Sequence, residues 1–411
     1  MDYQELSSVE EVIDLVKNLD VIRGVEVRDL KSSCGKVLAE DIRCNAPRPR
    51  FDQSAMDGYA VRTEDLAEAR RENPVELRVT REVAAGDDPQ FELARGETAR
   101  IYTGAPLPEG AGAVVIQEEV NREGEEVTFF TSPPDGANIR SRGGEMERGE
   151  ILLKAGELIT PPAIGLGLDQ DIREVRVYRQ PSVAVVSTGE ELVPPGCKPG
   201  PGKKIDTSSP ILVEELNSIA RRVVVERVGD LPDDIKTVLQ KALAEHELVI
   251  TLGGVSVGEK DYVPGVLEEL GVEKLNHGVF QKPGKPLWIG RRDDRFVLGM
   301  PGNPASTLAC FYIYAYGLLR RIAGYSPESA PLPSGWTELQ EPVDKETKRF
   351  RFAWATTEPA AHGYRSEIIE KQQSHMLIAP ARANSLVCLP AEREKIETEE
   401  KLKVYFLPGR S

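Results

Sequence analysis

Between Pro181 and Tyr325 short, uniformly apolar runs alternate with amphipathic stretches, and this alternation constrains the fold more than any other feature of the chain. SVAVVST (Ser182–Thr188), VVVERV and ELVITL read as buried strands. Between them a helix is expected from Pro210, and DDIKTVLQKALAE carries Ile235, Val238, Leu239, Ala242 and Leu243 at i, i+3, i+4, i+7 and i+8. Val263, Val266, Leu267 and Leu270 mark a further helix, and Asn303 and Pro304 have the N-cap and N1 residue types for a long apolar helix to about Ile322. Apolar strands linked by amphipathic helices bury both sheet faces, which predicts an α/β, doubly wound parallel sheet.

The flanking segments are organised differently. Ser8 and Glu11 form a capping box, followed by Val9, Val12, Ile13, Val16 and Leu19 at helical spacing. Short strand-like runs follow near Val25–Val27 and Val37–Leu38, then a stiff connector at Asn45–Pro49. From Phe51 to Glu145 the β runs VELRVT, TARIYTG, AVVIQEEV and EVTFFT are punctuated by Gly, Pro and Asp, which predicts a β-rich region without a long helix. A connector near Arg148–Leu152 leads to a helical stretch at Ile159–Leu166, and beyond Tyr325 the runs FRFAWAT, RSEIIE, SLVCLP and LKVYFLP are β again. Four structural units emerge, within the range that 411 residues allow.

Composition excludes several functions. Lys and Arg total 52 against 67 Asp and Glu, a net charge of −15 that disfavours sequence-independent nucleic-acid binding. No stretch reaches the roughly 18 apolar residues of a membrane span, and MDYQELSSVEEV lacks the features of a secretory signal. The cysteines (34, 44, 197, 310, 388) and histidines (246, 277, 362, 375) are dispersed, so neither a zinc cluster nor a disulfide framework is indicated, and a reducing, cytoplasmic setting is expected. Carboxylates, lysines and backbone amides remain as the chemical tools.

Those tools gather in a few motifs. Gly253-Gly254-Val255-Ser256-Val257-Gly258 follows ELVITL, where ligands bind in open parallel sheets. Paired glycines let amides converge on an anion, although a tight β-to-α turn needs the same residues. Lys282-Pro283-Gly284-Lys285-Pro286 stiffens two ammonium groups, as an anion site or as a solvated turn between strands. Ser187-Thr188-Gly189-Glu190-Glu191, with Asp206, Asp233 and Asp261, offers the oxygen ligands Mg²⁺ prefers, while Asp233 and Asp261 also read as helix caps. Met300-Pro301-Gly302-Asn303-Pro304 ends another strand, and Phe51–Val61, Ile101–Gly110 and the Arg140/Arg142 turn are further irregular, polar segments.

FDQSAMDGYAV, YTGAPLPEGAGAVV, STGEEL, ITLGGVSVGEKDY, KPGKPL and GMPGNPAS, in this order, resemble the MoeA-type molybdopterin molybdenumtransferases, relatives of the C-terminal part of gephyrin. The resemblance covers the chain from about residue 5 and implies insertion of molybdate into adenylylated molybdopterin with Mg²⁺-dependent release of AMP. It implies an elongated domain from 1–46 and 147–180, an inserted β-rich domain at 47–146, an adenylyltransferase-like α/β domain at 181–325 and a C-terminal β-barrel at 326–411. It also implies a homodimer with the site shared between subunits, and the molybdopterin adenylyltransferase as a possible partner.

By the same resemblance, Lys282, Lys285 and Ser306 would hold the oxyanion, completed by Arg349 and Ser374. Glu191, Asp233 and Asp261 would organise Mg²⁺, and Gly253, Gly254 and Ser256 would receive a substrate phosphate. Asp57 joins Lys282, Lys285 and Glu191 as a catalytic position, and Thr103, Arg140, Ser187, Thr188, Asp206 and Pro301 are expected to bind substrate. Some positions depart from the family pattern. Gln53 replaces the usual Asn, Gly112 a common Asp, Gly144-Glu145 the usual Glu-Asp, Lys348-Arg349 a Gly-Arg, and Gln373-Ser374-His375 a Gly-Ser-Gly. The last departure would narrow the oxyanion pocket, although His375 also reads as a barrel residue facing water. The alternatives are a tungstate-inserting paralogue, a molybdopterin adenylyltransferase and a gephyrin-like binding scaffold.

Overall fold

The computed structural model describes residues 6–256, 258, 261–345 and 347–410. Contacts divide them into two compact units: the described residues of Met1–Arg28, Gly35–Ala39 and Arg176–Ser411, and those of Asp29–Cys34 and Glu40–Val175.

The larger unit opens with α1 (Val9–Asn18). Its expected capping box is present: the Glu11 amide donates to Ser8 Oγ (3.2 Å) and the Ser8 amide to Glu11 Oε2 (2.7 Å). Two orphan amides are thereby satisfied, and Val9, Val12 and Val16 are buried on one face. The α/β region follows as β1 (Ser182–Thr188), α2 (Ser208–Asn217), β2 (Arg222–Val228), α3 (Pro232–Glu245), β3 (Leu248–Leu252), α4 (Val263–Glu269), β4 (Glu273–His277), β5 (Trp288–Arg292) and β6 (Arg295–Met300). The sheet order is β2-β1-β3-β6-β5-β4. β2, β1, β3 and β6 are parallel, and β5 and β4 add an antiparallel edge.

Alternation along the strands explains the double winding. Val183 and Val185 of β1 pack with Leu212 and Leu216 of α2, whereas Ala184 and Val186 pack with Ile235, Leu239 and Leu243 of α3. Each buried Leu or Ile of this kind contributes about 1.5–3 kcal/mol. The crossovers from β1 to β2 and from β2 to β3 lie on opposite faces, so a switch point opens between the carboxyl ends of β1 and β3.

α2 begins two residues before the expected Pro210, because the Asp206 carboxylate accepts the Ser209 amide (3.0 Å) and stabilises the first turn. The helix expected from Asn303 to Ile322 runs over that span as α5 (Pro304–Cys310), a π-helical turn (Phe311–Ala315) and α6 (Tyr316–Ile322). The wider turn lets Tyr312 and Tyr314, two residues apart, both enter the core.

β7 (Ser334–Leu339), β8 (Phe350–Ala360), β9 (Gly363–Ile368), β10 (Ser385–Leu389) and β11 (Leu402–Phe406) close a five-stranded barrel in the order β8-β9-β7-β11-β10, with β10 returning to β8. Small residues fill it: Ala353 and Ala355 point inward with Val387 and Val404, while the intervening Phe352 and Trp354 join the α/β core.

The smaller unit holds a six-stranded sheet in the order Ala113–Ile116, Gly58–Val61, Glu97–Ile101, Val75–Val83, Glu126–Phe129 and Val120–Glu123. Only 3₁₀ turns interrupt it, as the β-rich reading required. The helix expected at Ile159–Leu166 spans Pro161–Asp169, where Thr160 Oγ1 accepts the Ala163 amide and prolines occupy the first turn.

Candidate active site

At the switch point a cavity of about 670 Å³ opens beyond the carboxyl ends of β1, β3 and β6. Its floor is built from strand ends: Ser187 and Thr188 from β1, Gly253 and Gly254 after β3, and Gly302, Asn303 and Pro304 after β6. Gly253 and Gly254 sit at φ +86° and +64°. A Cβ on Gly254 would lie 2.9 Å from Val263 Cγ2 and 3.1 Å from Thr188 Oγ1, so a side chain is excluded twice over. The Gly253 amide donates to Met300 O (3.0 Å) and Thr188 Oγ1 to Leu252 O (3.2 Å), which locks the floor. Ser187 Oγ is buried and has no hydrogen-bond partner among the described residues. A buried orphan hydroxyl lining a polar cavity marks a place where a ligand completes the hydrogen bonding.

Glu191, Asp206, Asp230 and Asp261 line the same cavity. Asp206 is already satisfied: Oδ1 accepts the Ser209 amide, and Oδ2 accepts Ser209 Oγ (2.6 Å) and Arg227 Nε (3.1 Å). It therefore fixes the start of α2 rather than standing ready for a cation. Asp230 accepts the Glu190 amide (3.3 Å) and is an acidic lining residue that sequence reasoning missed. Asp233 is not among the lining residues, and it is not the N-cap either: Leu231 takes that position, Pro232 is N1, and Asp233 falls inside the first turn. Asp261 is no helix cap, since α4 is capped at Tyr262. Its carboxylate accepts the Gly258 amide (2.9 Å) and closes the loop after Gly254. Ser256 is exposed and does not line the cavity, and Val257 lies outside the described residues.

The lysine turn is anchored as the prolines imply. Gln281–Lys282 pairs with β8, placing Lys282 opposite Arg351. The buried Gln281 side chain donates to Pro283 O (3.0 Å) and Gly284 O (3.3 Å), and accepts from Tyr314 Oη. A Cβ on Gly284 would lie 2.5 Å from Cys310 Sγ, so the turn packs onto α5 one helical turn beyond buried Ser306. The Phe350 amide donates to Phe280 O (3.1 Å), which brings Arg349 to this edge. Neither Lys282 nor Lys285 lines the strand-end cavity. The link is indirect: His277 Nε2 bonds Val255 O (3.0 Å), tying the segment that leads to the lysine turn to the glycine loop. Ser374 meets the first turn of α5, where Asn303 Nδ2 donates to its Oγ (3.2 Å) and the Ala305 amide to its O (3.1 Å). Pro301 offers its carbonyl to Thr307 Oγ1 (2.6 Å).

Three family models account for most of the chain: the MoeA N-terminal region (domain I and II) at residues 7–169, a probable molybdopterin-binding domain at 184–321, and the MoeA C-terminal region (domain IV) at 337–407. The molybdopterin molybdenumtransferase of Nostoc sp. is 33% identical over 410 residues, 97% of this chain and 92% of that protein. The chain belongs to the MoeA family of molybdopterin molybdenumtransferases. The corresponding enzyme of Haemophilus influenzae is also 33% identical, over 92% of this chain and 93% of its own. The crystal structure of a MoeA molybdopterin-biosynthesis protein from Pyrococcus horikosii superposes with a TM-score of 0.83 at 31% identity, covering 98% of this chain and all of that one.

In the smaller unit the MoeA motifs build a second arrangement. Asp57 Oδ1 accepts both the Thr103 amide and Thr103 Oγ1, each at 2.8 Å. Those two bonds hold the Asp57 carboxyl below its ordinary range. Arg140 pairs with Gln53 across a short ladder, and both line a separate cavity of about 840 Å³ with Arg48, Arg50, Glu145 and Asp169. Arg48 binds Glu145 (2.7 Å) and Asp169 (3.1 Å), so the longer carboxylate arm at Glu145 is used in an ion pair. At Gly112, where the resemblance implies a common Asp, a Cβ would lie 2.7 Å from Oδ1 of the exposed Asp135 and 3.0 Å from Thr63 Oγ1, and nothing in the structure explains the glycine. His375 is exposed to water, as the sequence suggested, and it also lines the strand-end cavity.

Proposed function

We propose that this chain inserts molybdate into adenylylated molybdopterin and releases AMP in a Mg²⁺-dependent step. The observation that carries the reading is the strand-end cavity, with its two left-handed glycines, its orphan Ser187 hydroxyl and its acidic rim. The Gly254 amide and the unpartnered Ser187 hydroxyl suit a phosphate of the substrate, on a floor fixed by the Gly253 amide and the Thr188 hydroxyl. Lys282 and Lys285, held by the Gln281-braced turn, with Ser306, Arg349 and Ser374, would hold the oxyanion. Cationic donors offset repulsion between a dianion and a pyrophosphate and place two negative reactants side by side. No activated nucleophile is invoked, and catalysis is read as electrostatic positioning.

The donor set fits a hard cation. Glu191, Asp230 and Asp261 contribute carboxylate oxygens, and Asp230 takes the place first given to Asp233, which does not line the cavity. No trio of acidic, histidine or cysteine residues forms a ready cage among the described residues, which accords with an ion held jointly by carboxylates, phosphate oxygens and water. Bound there, Mg²⁺ would neutralise pyrophosphate charge and ease departure of AMP. We take the working form as a cytoplasmic homodimer supplied by a molybdopterin adenylyltransferase. Light scattering at working concentration checks the dimer, and a monomer mass would remove it.

The test is incubation with adenylylated molybdopterin, Mg²⁺ and molybdate, following AMP release and metal incorporation. Both should occur, and both should be lost in Lys282→Ala/Lys285→Ala while the fold is retained. Wild-type protein that binds the substrate yet releases no AMP would remove the reading.

A further inference from the structure

His375 reaches the strand-end cavity on the Gln373-Ser374-His375 turn, which is built into its place. The Met376 amide closes the turn on Gln373 O (2.9 Å). Asn303 Nδ2 and the Ala305 amide then staple Ser374 to the start of α5 through its Oγ and its carbonyl (3.2 and 3.1 Å). Asn303 and Pro304 line the same cavity, so the turn that carries His375 and one wall of the cavity share an anchor.

The charge inventory gives the position its meaning. Glu191, Asp206, Asp230 and Asp261 line the cavity, and among the described residues Lys204 and His375 are the lining residues able to carry positive charge. An anion entering this acidic surround is repelled unless donors face it. The Ser187 hydroxyl and the Gly254 amide supply donors from the floor, and Lys204 and His375 add nitrogen donors. A glycine at 375, usual in the family by the sequence resemblance, would offer only its main chain.

We infer that His375 is a substrate-contacting residue that donates a hydrogen bond to a phosphate oxygen of the bound ligand and so tunes affinity for the anionic part of the substrate. The inference rests on the proposed function in taking a phosphate-bearing ligand to occupy this cavity.

Inorganic pyrophosphate, AMP and adenosine serve as probes, titrated by calorimetry in Mg²⁺ into wild type, His375→Gly and His375→Lys. The glycine variant should bind pyrophosphate and AMP about five- to tenfold more weakly, adenosine within about twofold of wild type, and lysine should restore most of the loss. In turnover, KM should rise about five- to tenfold with kcat nearly constant, the pattern of a ground-state contact. Because His375 is exposed, both variants should melt with wild type. Unchanged anion affinity in His375→Gly, an equal loss for adenosine, or no pyrophosphate binding by wild type would overturn the inference. If wild type releases AMP and His375→Gly matches it in Kd and KM, the contact alone falls. If the anions bind through His375 but no AMP is released, the functional reading alone falls.

Discussion

In the strand-end cavity Glu191, Asp206, Asp230 and Asp261 face Lys204 and His375, whereas in the cavity of the smaller unit Arg48, Arg50 and Arg140 face Glu145 and Asp169. The arginines are largely committed: Arg48 bridges two carboxylates, and Arg50 donates to Asp169 O (2.8 Å). Of the four acids in the strand-end cavity, Asp206 alone has an arginine partner within 4.0 Å among the described residues, and Asp230 and Asp261 accept main-chain amides. Fixed ion pairs at a half-exposed rim hold loops together and contribute little energy. Carboxylates left without cationic partners beside glycine amides and an orphan hydroxyl suit a ligand that brings both a cation and an anion. Opposite charge does not by itself mark an anion site, because the degree of internal satisfaction decides.

The largest expected effect separates these cavities directly. Glu191→Gln and Asp261→Asn should each slow AMP release by about 10²–10³-fold with little change in melting temperature, a loss typical of removing one preorganised electrostatic group. Arg48→Ala should change the rate less than about threefold and cost roughly 0.5–1 kcal/mol in a denaturant titration. Equal losses of rate on both sides would break the comparison.

Glu247 sharpens it, as a case of arginine-paired acid inside the larger unit. Burial raises its carboxyl, but the Ser182 hydroxyl and amide and the Arg221 guanidinium outweigh that and hold it at about 2, against an ordinary 4.5. A depressed folded-state value adds stability that is present above about 4.5 and is lost as pH falls toward about 2. Acid melts should therefore show Glu247→Gln losing roughly 2–3 kcal/mol less than wild type between neutral pH and this window. Identical acid profiles would remove the assignment. Gly254→Ala should cost about 1–3 kcal/mol because of its φ of +64° and the nearby Val263 methyl. An unchanged denaturation midpoint would show that the floor relaxes.

Period and residue type made much of this legible before any coordinates. The uniformly apolar SVAVVST, followed by amphipathic stretches, predicted a strand covered on both faces, as Val183/Val185 and Ala184/Val186 are, and Ser8 with Glu11 marked the start of α1. Two local signals were misread against stronger local ones: Pro232 took the N1 position and drew Asp233 into the helix, and the Gly258 amide three residues upstream claimed the Asp261 carboxylate. The π-helical turn left no periodic trace, since its run of apolar and aromatic residues fits either winding. Asp230 and His375 were invisible as lining residues because each reaches the cavity through a connection formed by the fold, at the end of β2 and beyond the barrel strand β9.

A crystal structure of the protein with AMP and Mg²⁺ tests the account most directly. Phosphate density against the Gly254 amide and the Ser187 hydroxyl is the predicted result. Phosphate bound among Arg48, Arg50 and Arg140, with none at the ends of β1 and β3, would contradict it.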